Sequence, residues 1–149
     1  MTREGSGSTA EAHVTVPGSA PAPVVVVVED DIGTLGLLAD VAEDAGWETR
    51  TCRSLGQFAR TLDDVDPSLV ILDDDLPDGL GGDEAILMRA DPGTSDVSVV
   101  VCTGASHRRL AELGGKVQIV TKPFTIRDVE YVLDAALQRR RRLTNGASG

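Results

Sequence analysis

The sequence predicts an α/β fold in which five parallel strands form one open sheet and five helices cover its two faces. Short apolar segments alternate with segments whose apolar residues recur at helical spacing, and each connection is only a few residues long. The first apolar segment, Val24–Val28, is a continuous β-branched run, which is typical of a strand buried on both faces of a parallel sheet. Only four of the 149 residues are aromatic, so the core must be aliphatic, as suits a sheet covered by helices.

The first two strands and helices are bounded by clear signals. After the strand at 24–28, apolar residues recur at helical spacing over 32–45, and Gly46 is placed to end that helix. A short second strand is predicted at 48–52. Ser54 and, three residues later, Gln57 form a capping-box pattern, which opens a second helix that stops before an Asp-Pro pair.

The same alternation continues to the end of the chain. The remaining strands are predicted at 69–72, 97–102 and 117–121. A loop at 73–82 precedes the third helix, which an Asp-Pro-Gly sequence at 91–93 ends. The fourth helix, 106–113, is closed by two glycines, and the last begins at Thr125 with Asp128 as the acid of a second capping box.

The domain organisation follows from composition. Residues 1–23 are rich in Gly, Ser, Ala, Thr and Pro, which predicts a flexible arm. One folded domain is expected at 24–142 and a disordered tail at 143–149. The four arginines at 139–142 extend the last helix, where cations complement the helix dipole; a contact with nucleic acid or a partner is the less favoured interpretation.

Charge and cysteine usage exclude several classes of protein. The net charge is −10, and residues 24–96 alone carry eighteen acidic against four basic residues, which argues against binding to nucleic acid. The longest apolar run is far too short to span a bilayer. Cys52 and Cys102 lie fifty positions apart, which is neither a disulfide framework nor a metal-ligand spacing. A cytoplasmic protein that does not bind membranes is therefore expected.

Chemically active residue types follow four of the five predicted strands: Glu29, Asp30 and Asp31; Asp73, Asp74 and Asp75; Thr103; and Lys122. In a doubly wound sheet of strand order 2-1-3-4-5, the flavodoxin-like order, the first and third strands are neighbours. The two acidic clusters would then converge on one crevice at the carboxyl edge of the sheet. Carboxylates this close repel one another, and a divalent cation bound between them most easily offsets the repulsion. Mg²⁺ is suited to such a site.

Such a crevice suits phosphoryl chemistry. An isolated acidic triplet would more simply be a solvated loop, but here a second acidic cluster and a lysine follow other strands. A carboxylate beside Mg²⁺ and opposite a lysine can act as a nucleophile toward a phosphoryl group, while a hydroxyl binds a phosphoryl oxygen. Asp73, Lys122 and Thr103 fit these three roles.

Four motifs, in this order, make the chain resemble the receiver domains of two-component response regulators: VVVVVEDD, LVILDDDLPDGLGG, VVVCTG and IVTKPF. The resemblance spans residues 24 to about 140, and the four motifs together are highly specific. It implies the same fold and a phosphoryl group carried on Asp73.

The resemblance also implies a role for each motif residue. Asp73 is the phosphoacceptor, because it stands four residues before Pro77. The implied metal ligands are Asp30 and Asp73 directly, Glu29 through water and the backbone carbonyl of Asp75. Thr103 is the switch hydroxyl and Lys122 contacts the phosphate, with a cis bond to Pro123; Gly81 is the glycine that lets the loop turn.

Some positions depart from the family pattern. Ile119 stands where receivers usually carry an aromatic residue, which argues against a conventional aromatic switch, and the stretch 103–122 is shorter than usual. Asp31 and Asp74 are extra acids, which either tighten Mg²⁺ binding or face solvent; alternation along a strand favours the second.

The function expected is that of a stand-alone receiver domain in phosphorelay signalling. It would accept a phosphoryl group from a sensor histidine kinase or a histidine phosphotransfer protein and act on a downstream protein. It would not be an enzyme beyond phosphorylating itself from small phosphodonors and dephosphorylating itself. Two alternatives are a phosphorylation-independent docking module and a haloacid-dehalogenase-like phosphatase. The order of the motifs disfavours the phosphatase, because that family places its extra acids after the lysine.

Overall fold

The computed structural model describes residues 21–104 and 106–148. Its elements are β1 (Val24–Val28), α1 (Ile32–Asp44), β2 (Glu48–Cys52), α2 (Leu55–Asp64), β3 (Leu69–Asp73), β4 (Asp75–Leu76), β5 (Gly79–Leu80), α3 (Gly81–Ala90), β6 (Ser98–Thr103), α4 (His107–Leu113), β7 (Gln118–Thr121) and α5 (Ile126–Ser148). The arm predicted at 1–23 lies outside the described residues except for residues 21–23. Within the described part of the chain, no helix has the length and apolar character needed to cross a membrane.

Five strands form one parallel sheet in the order β2-β1-β3-β6-β7. Numbered without the small β4–β5 hairpin, this is the predicted order 2-1-3-4-5, and the predicted fold class is confirmed. The register pairs Val28 with Leu72, Asp73 with Cys102, and Thr103 with Thr121. The carboxyl ends of the four strands that precede the candidate residues therefore lie at one edge of the sheet.

The sheet separates two aliphatic cores, because side chains along each strand point alternately to its two faces. The first core joins α1 and α5 to one face and includes Trp47; the second joins α2, α3 and α4 to the other face and includes Phe58. Val25 and Val27 belong to the first core, and Val26 and Val28 to the second. The run of valines in β1 is thus explained by burial on both faces.

The predicted capping box of Thr125 and Asp128 is formed in full. The one at Ser54 is formed only in part, because the Gln57 side chain accepts from the Arg53 N–H and not from the Ser54 N–H. The Ser54 hydroxyl accepts a hydrogen bond from the backbone N–H of Gln57 at 3.1 Å at the start of α2. At the start of α5, the Thr125 N–H donates to an Asp128 carboxylate oxygen at 2.8 Å, and the Asp128 N–H donates to the Thr125 hydroxyl at 3.1 Å. These side chains satisfy backbone N–H groups that have no partner within the helix.

The segment 73–82 is more ordered than the predicted loop. It contains the antiparallel two-residue strands β4 and β5, and α3 already begins at Gly81. The Asp78 carboxylate at the hairpin turn accepts hydrogen bonds from the N–H groups of Leu55 and Gly56, at 2.8 and 2.9 Å. These bonds lower the Asp78 pKa and fix the hairpin to the first turn of α2. Two-residue strands are too short to show a periodicity in sequence.

The last helix also differs from expectation, because α5 continues to Ser148 where a disordered tail was predicted at 143–149. The four arginines at 139–142 are good helix formers, and the segment 143–148 that follows them contains no proline. The Arg139 guanidinium donates to the carbonyl of Asp96 at 2.6 Å and to the hydroxyl of Ser98 at 3.2 Å. These bonds hold the arginine-rich part of α5, just before the extension, against the segment that leads into β6.

Candidate functional site

A cavity of about 490 Å³ lies at the carboxyl edge of the sheet. It is lined by Asp73, Asp74, Asp75, Leu80, Thr103, Gly104, Arg109 and Lys122. Five of these are residues that the strand-end pattern singled out. Arg109 is the charged lining residue that sequence reasoning missed.

Lys122 and Asp73 contact each other in the wall of this cavity. The Lys122 ammonium donates to Asp73 Oδ1 at 2.8 Å and lies 3.5 Å from Glu29 Oε1. Both carboxylates are buried, with Asp73 3% and Glu29 2% exposed. Burial opposes the charge on Lys122, but the hydrogen bond to Asp73 and the charges of both carboxylates outweigh it and raise the Lys122 pKa. The lysine is therefore held in its charged form beside a carboxylate at hydrogen-bonding distance.

The backbone places this lysine beside the predicted hydroxyl. The Lys122 N–H donates to the Thr103 carbonyl at 2.9 Å, which continues the β6–β7 ladder by one residue. Thr103 is the buried last residue of β6, and it pairs with Thr121, the residue directly before Lys122. The Lys122–Pro123 bond is cis, as the family resemblance implied. Ile119, at the position of the usual aromatic residue, is partly buried against the second core.

Three carboxylates form a compact cluster next to the lysine. Oxygen atoms of Glu29, Asp30 and Asp73 lie within 4.8 Å of one another. Burial raises the Glu29 pKa, and the charge of Asp73 raises it further. The hydrogen bond from the Asp31 N–H lowers it but does not outweigh them. A set of carboxylate oxygens around one point is the donor type that a hard divalent cation prefers. The cluster fits such an ion, whose charge would offset the repulsion between the carboxylates.

The Glu29 pKa leads to a prediction about stability in metal-free buffer. The raised pKa means that the charged form costs free energy in the folded state at neutral pH. This cost falls as the pH drops through the raised value and is absent below 4.5, the ordinary value. Glu29→Gln should therefore increase the free energy of unfolding at neutral pH, and the gain should shrink on acidification. Urea unfolding in EDTA between about pH 8 and pH 5 measures it; a gain that does not depend on pH contradicts the prediction.

The start of α3 lies directly against the backbone of Asp73. A Cβ atom added at Gly81 would lie 2.0 Å from the Asp73 carbonyl oxygen and 2.9 Å from Leu72 Cγ. The Gly81 N–H donates to the Asp74 carbonyl at 3.0 Å. Glycine is required here by this close approach of two backbone segments. Asp75, in β4, is exposed at the rim of the cavity.

The extra acid Asp31 is exposed and serves as the N-cap of α1. Its carboxylate accepts hydrogen bonds from the backbone N–H and the hydroxyl of Thr34, at 2.9 and 2.7 Å. The bonds from Thr34 lower the Asp31 pKa. Its contacts are those of a helix cap.

Asp74 does not face solvent, and that expectation was wrong. Alternation turns its side chain away from Asp73, but into the gap between α3 and α4, where it is buried. It accepts two hydrogen bonds from the Arg109 guanidinium, at 2.7 and 2.8 Å, and one from the Gly82 N–H at 2.8 Å. The bonds from Arg109 lower the Asp74 pKa against the effect of burial.

Comparison with protein families gives one extensive match. The family model described as response regulator receiver domain matches residues 25–134.

Curated relatives cover a similar part of the chain. The phosphate regulon transcriptional regulatory protein PhoB of Pseudomonas aeruginosa is 28% identical over 118 residues, which are 77% of this chain and 52% of that protein. The probable transcriptional regulatory protein TcrX of Mycobacterium tuberculosis is 32% identical over 119 residues, 78% of this chain and 51% of that protein. The chain thus spans about half the length of the curated relatives it matches.

Solved structures share the fold at lower identity. The chemotaxis response regulator CheY4 of Vibrio cholerae superposes with a TM-score of 0.68 at 18% identity, covering 77% of this chain and 98% of that chain. The signal receiver domain of an HD domain-containing protein from Pseudomonas fluorescens Pf-5 superposes with a TM-score of 0.75 at 17% identity, covering 89% and 98%.

Proposed function

The chain belongs to the response regulator receiver domain family, and from that premise we propose that its Asp73 accepts a phosphoryl group. The donor is a sensor histidine kinase or a histidine phosphotransfer protein, and the output acts on a downstream protein in the cytoplasm. One observation carries the proposal: the Lys122 ammonium is 2.8 Å from Asp73 Oδ1, and the oxygens of Glu29 and Asp30 lie beside the same carboxylate.

In the proposed transfer, an Asp73 carboxylate oxygen attacks the phosphorus of a phosphohistidine. The new P–O bond forms as the P–N bond breaks, and the electron pair of that bond returns to the imidazole nitrogen. Lys122 and the Thr103 hydroxyl bind the phosphoryl oxygens, where negative charge must be stabilised. Burial of Asp73 beside Lys122 keeps the nucleophile and the cation oriented before the donor arrives.

The carboxylate cluster is assigned to Mg²⁺. Asp30 and Asp73 would bind it directly, Glu29 through water, and Asp75 through its backbone carbonyl. When bound, the ion supplies positive charge that neutralises the phosphoryl oxygens. The chain itself supplies at this point three carboxylates whose oxygens lie within 4.8 Å of one another.

Incubation with acetyl phosphate tests the proposal. In the presence of Mg²⁺, intact-mass spectrometry should show one added phosphoryl group per chain, and EDTA should reduce the addition to background because the carboxylate repulsion is then uncompensated. The adduct should be lost in mild alkali, as expected of an acyl phosphate.

Two results would contradict it. If acetyl phosphate and beryllofluoride both fail to modify the protein with Mg²⁺ present, a phosphorylation-independent docking module becomes the better description. Steady turnover of a general phosphate ester, such as p-nitrophenyl phosphate, would instead indicate a phosphatase.

A further inference from the structure

Arg109 is the second cationic side chain, after Lys122, that lines the cavity around Asp73. It projects from α4, and its side chain is mostly buried at the boundary between the cavity and the start of α3. The family motifs do not include this position. Its contacts divide into a buried set and an exposed set.

The buried set fixes the guanidinium in place. Nε donates to Asp74 Oδ2 at 2.8 Å and Nη2 donates to Asp74 Oδ1 at 2.7 Å, so the pair is bidentate. The same carboxylate is held by the Gly82 N–H at 2.8 Å. Breaking a buried pair leaves an uncompensated charge, so Asp74 remains the permanent partner of Arg109.

Arg109 can exchange its exposed contacts for other partners at little cost in free energy. Nη2 also donates to Asp83 Oδ1, and Nη1 donates to Glu112 Oε1, each at 3.2 Å. The Asp83 and Glu112 side chains are 63% and 52% exposed. Ion pairs with such exposed partners contribute little, because water solvates the carboxylate almost as well.

We propose that Arg109 is a second cationic residue, after Lys122, that binds the phosphoryl group: Asp74 anchors the guanidinium at the cavity, and a phosphoryl group on Asp73 draws its outer N–H groups away from Asp83 and Glu112. This inference rests on the proposed function. Phosphorylation adds negative charge to the residue next to Asp74, and the planar guanidinium is well suited to phosphate oxygens. Asp83 and Glu112 are then competitors of the phosphoryl group for the same donors.

Because Asp83 and Glu112 compete with the phosphoryl group for Arg109, substitutions of Arg109 and of these two acids should change the binding affinity in opposite directions. Binding of beryllofluoride with Mg²⁺, followed by ¹⁹F NMR and calorimetric titration, should weaken about tenfold in Arg109→Gln, because one stabilising cation is lost. Arg109→Lys keeps the charge and should lose less. Asp83→Asn and Glu112→Gln should each tighten binding about twofold, because each frees a donor from a weak exposed pair.

Two controls separate this effect from general charge. Arg108→Gln changes the charge of the same helix at a side chain that is 90% exposed and 4.0 Å from Glu112, and should weaken binding far less than Arg109→Gln does. Glu84→Gln removes an acid from the same turn of α3 as Asp83, and should tighten binding less than Asp83→Asn does.

The outcomes distinguish the two proposals. If Arg109→Gln binds beryllofluoride as tightly as the unmodified protein does, the inference about Arg109 is overturned, but the proposed function is not. Weaker binding in Asp83→Asn and Glu112→Gln also overturns this inference. These two acids would then stabilise the structure around Arg109 and Asp74 and would not compete with the phosphoryl group. Failure of the unmodified protein to bind beryllofluoride overturns the proposed function and this inference together.

Discussion

Replacing Asp73 with Asn will abolish the addition of a phosphoryl group from acetyl phosphate, reducing the labelled fraction to background. An amide oxygen is a far weaker nucleophile than a carboxylate, and the substitution also removes one of the three acids of the cluster. The variant should remain folded, because Asn has nearly the same shape and removes the Asp73 charge, which adds to burial in raising the Glu29 pKa. Intact-mass spectrometry measures the labelling and urea unfolding the integrity of the fold.

The control is Asp40→Asn, at an exposed carboxylate of α1, which should be labelled like the unmodified protein. Peptide mapping of any label that remains in Asp73→Asn decides the assignment. A label found on Asp74 or Asp75 at an undiminished level would show that the phosphoacceptor is misassigned.

Replacing Gly81 with Ala will lower the free energy of unfolding by about 3 kcal/mol, at the upper end of the cost of forcing extra atoms into a packed interior. The added methyl group would lie 2.0 Å from the Asp73 carbonyl oxygen, and the contacted atom belongs to the backbone, which cannot turn aside as a flexible side chain can. The same displacement moves Asp73 relative to Lys122, so labelling should also slow.

Gly36 offers a matched glycine. It lies in α1, and a Cβ atom there meets nothing within 4 Å. Gly36→Ala should stabilise the protein by about 0.5–1 kcal/mol, because alanine loses less backbone entropy in a helix. Urea unfolding of the two variants should thus shift in opposite directions. Equal stability of Gly81→Ala and the unmodified protein would show that α3 moves freely past β3.

The sheet and the convergence of the strand-end residues were predictable from sequence for a physical reason. Strands buried on both faces form continuous apolar runs, and parallel strands with short connections bring their carboxyl ends to one edge. Once the third strand is placed beside the first, Asp73 must lie near Glu29 and Asp30. The chemistry of the crevice indicates a nucleophile at Asp73, whereas the resemblance implies how Glu29 and Asp30 would bind the metal; both roles are proposals.

Other features depend on contacts that no local pattern encodes. Alternation correctly turns Asp74 away from Asp73, but only the packing of α4 shows that Arg109, thirty-five residues later, fills the space that water would otherwise occupy. The hairpin at β4–β5 depends on Asp78 reaching the start of α2 across the loop. The length of α5 was missed because the composition of the segment after residue 142 resembles that of a free tail.

The position of Trp47 has a practical consequence for measuring how the molecule unfolds. It is the sole tryptophan of the sequence and is buried in the core shared by α1 and α5. Its emission therefore reports the loss of packing on one face of the sheet, whereas Arg109 and Gly81 belong to helices on the other. Coincident transitions by tryptophan emission and far-ultraviolet circular dichroism would show that both faces unfold as one cooperative unit. The chain thus carries its own fluorescent reporter of unfolding, on the face of the sheet opposite Gly81 and Arg109.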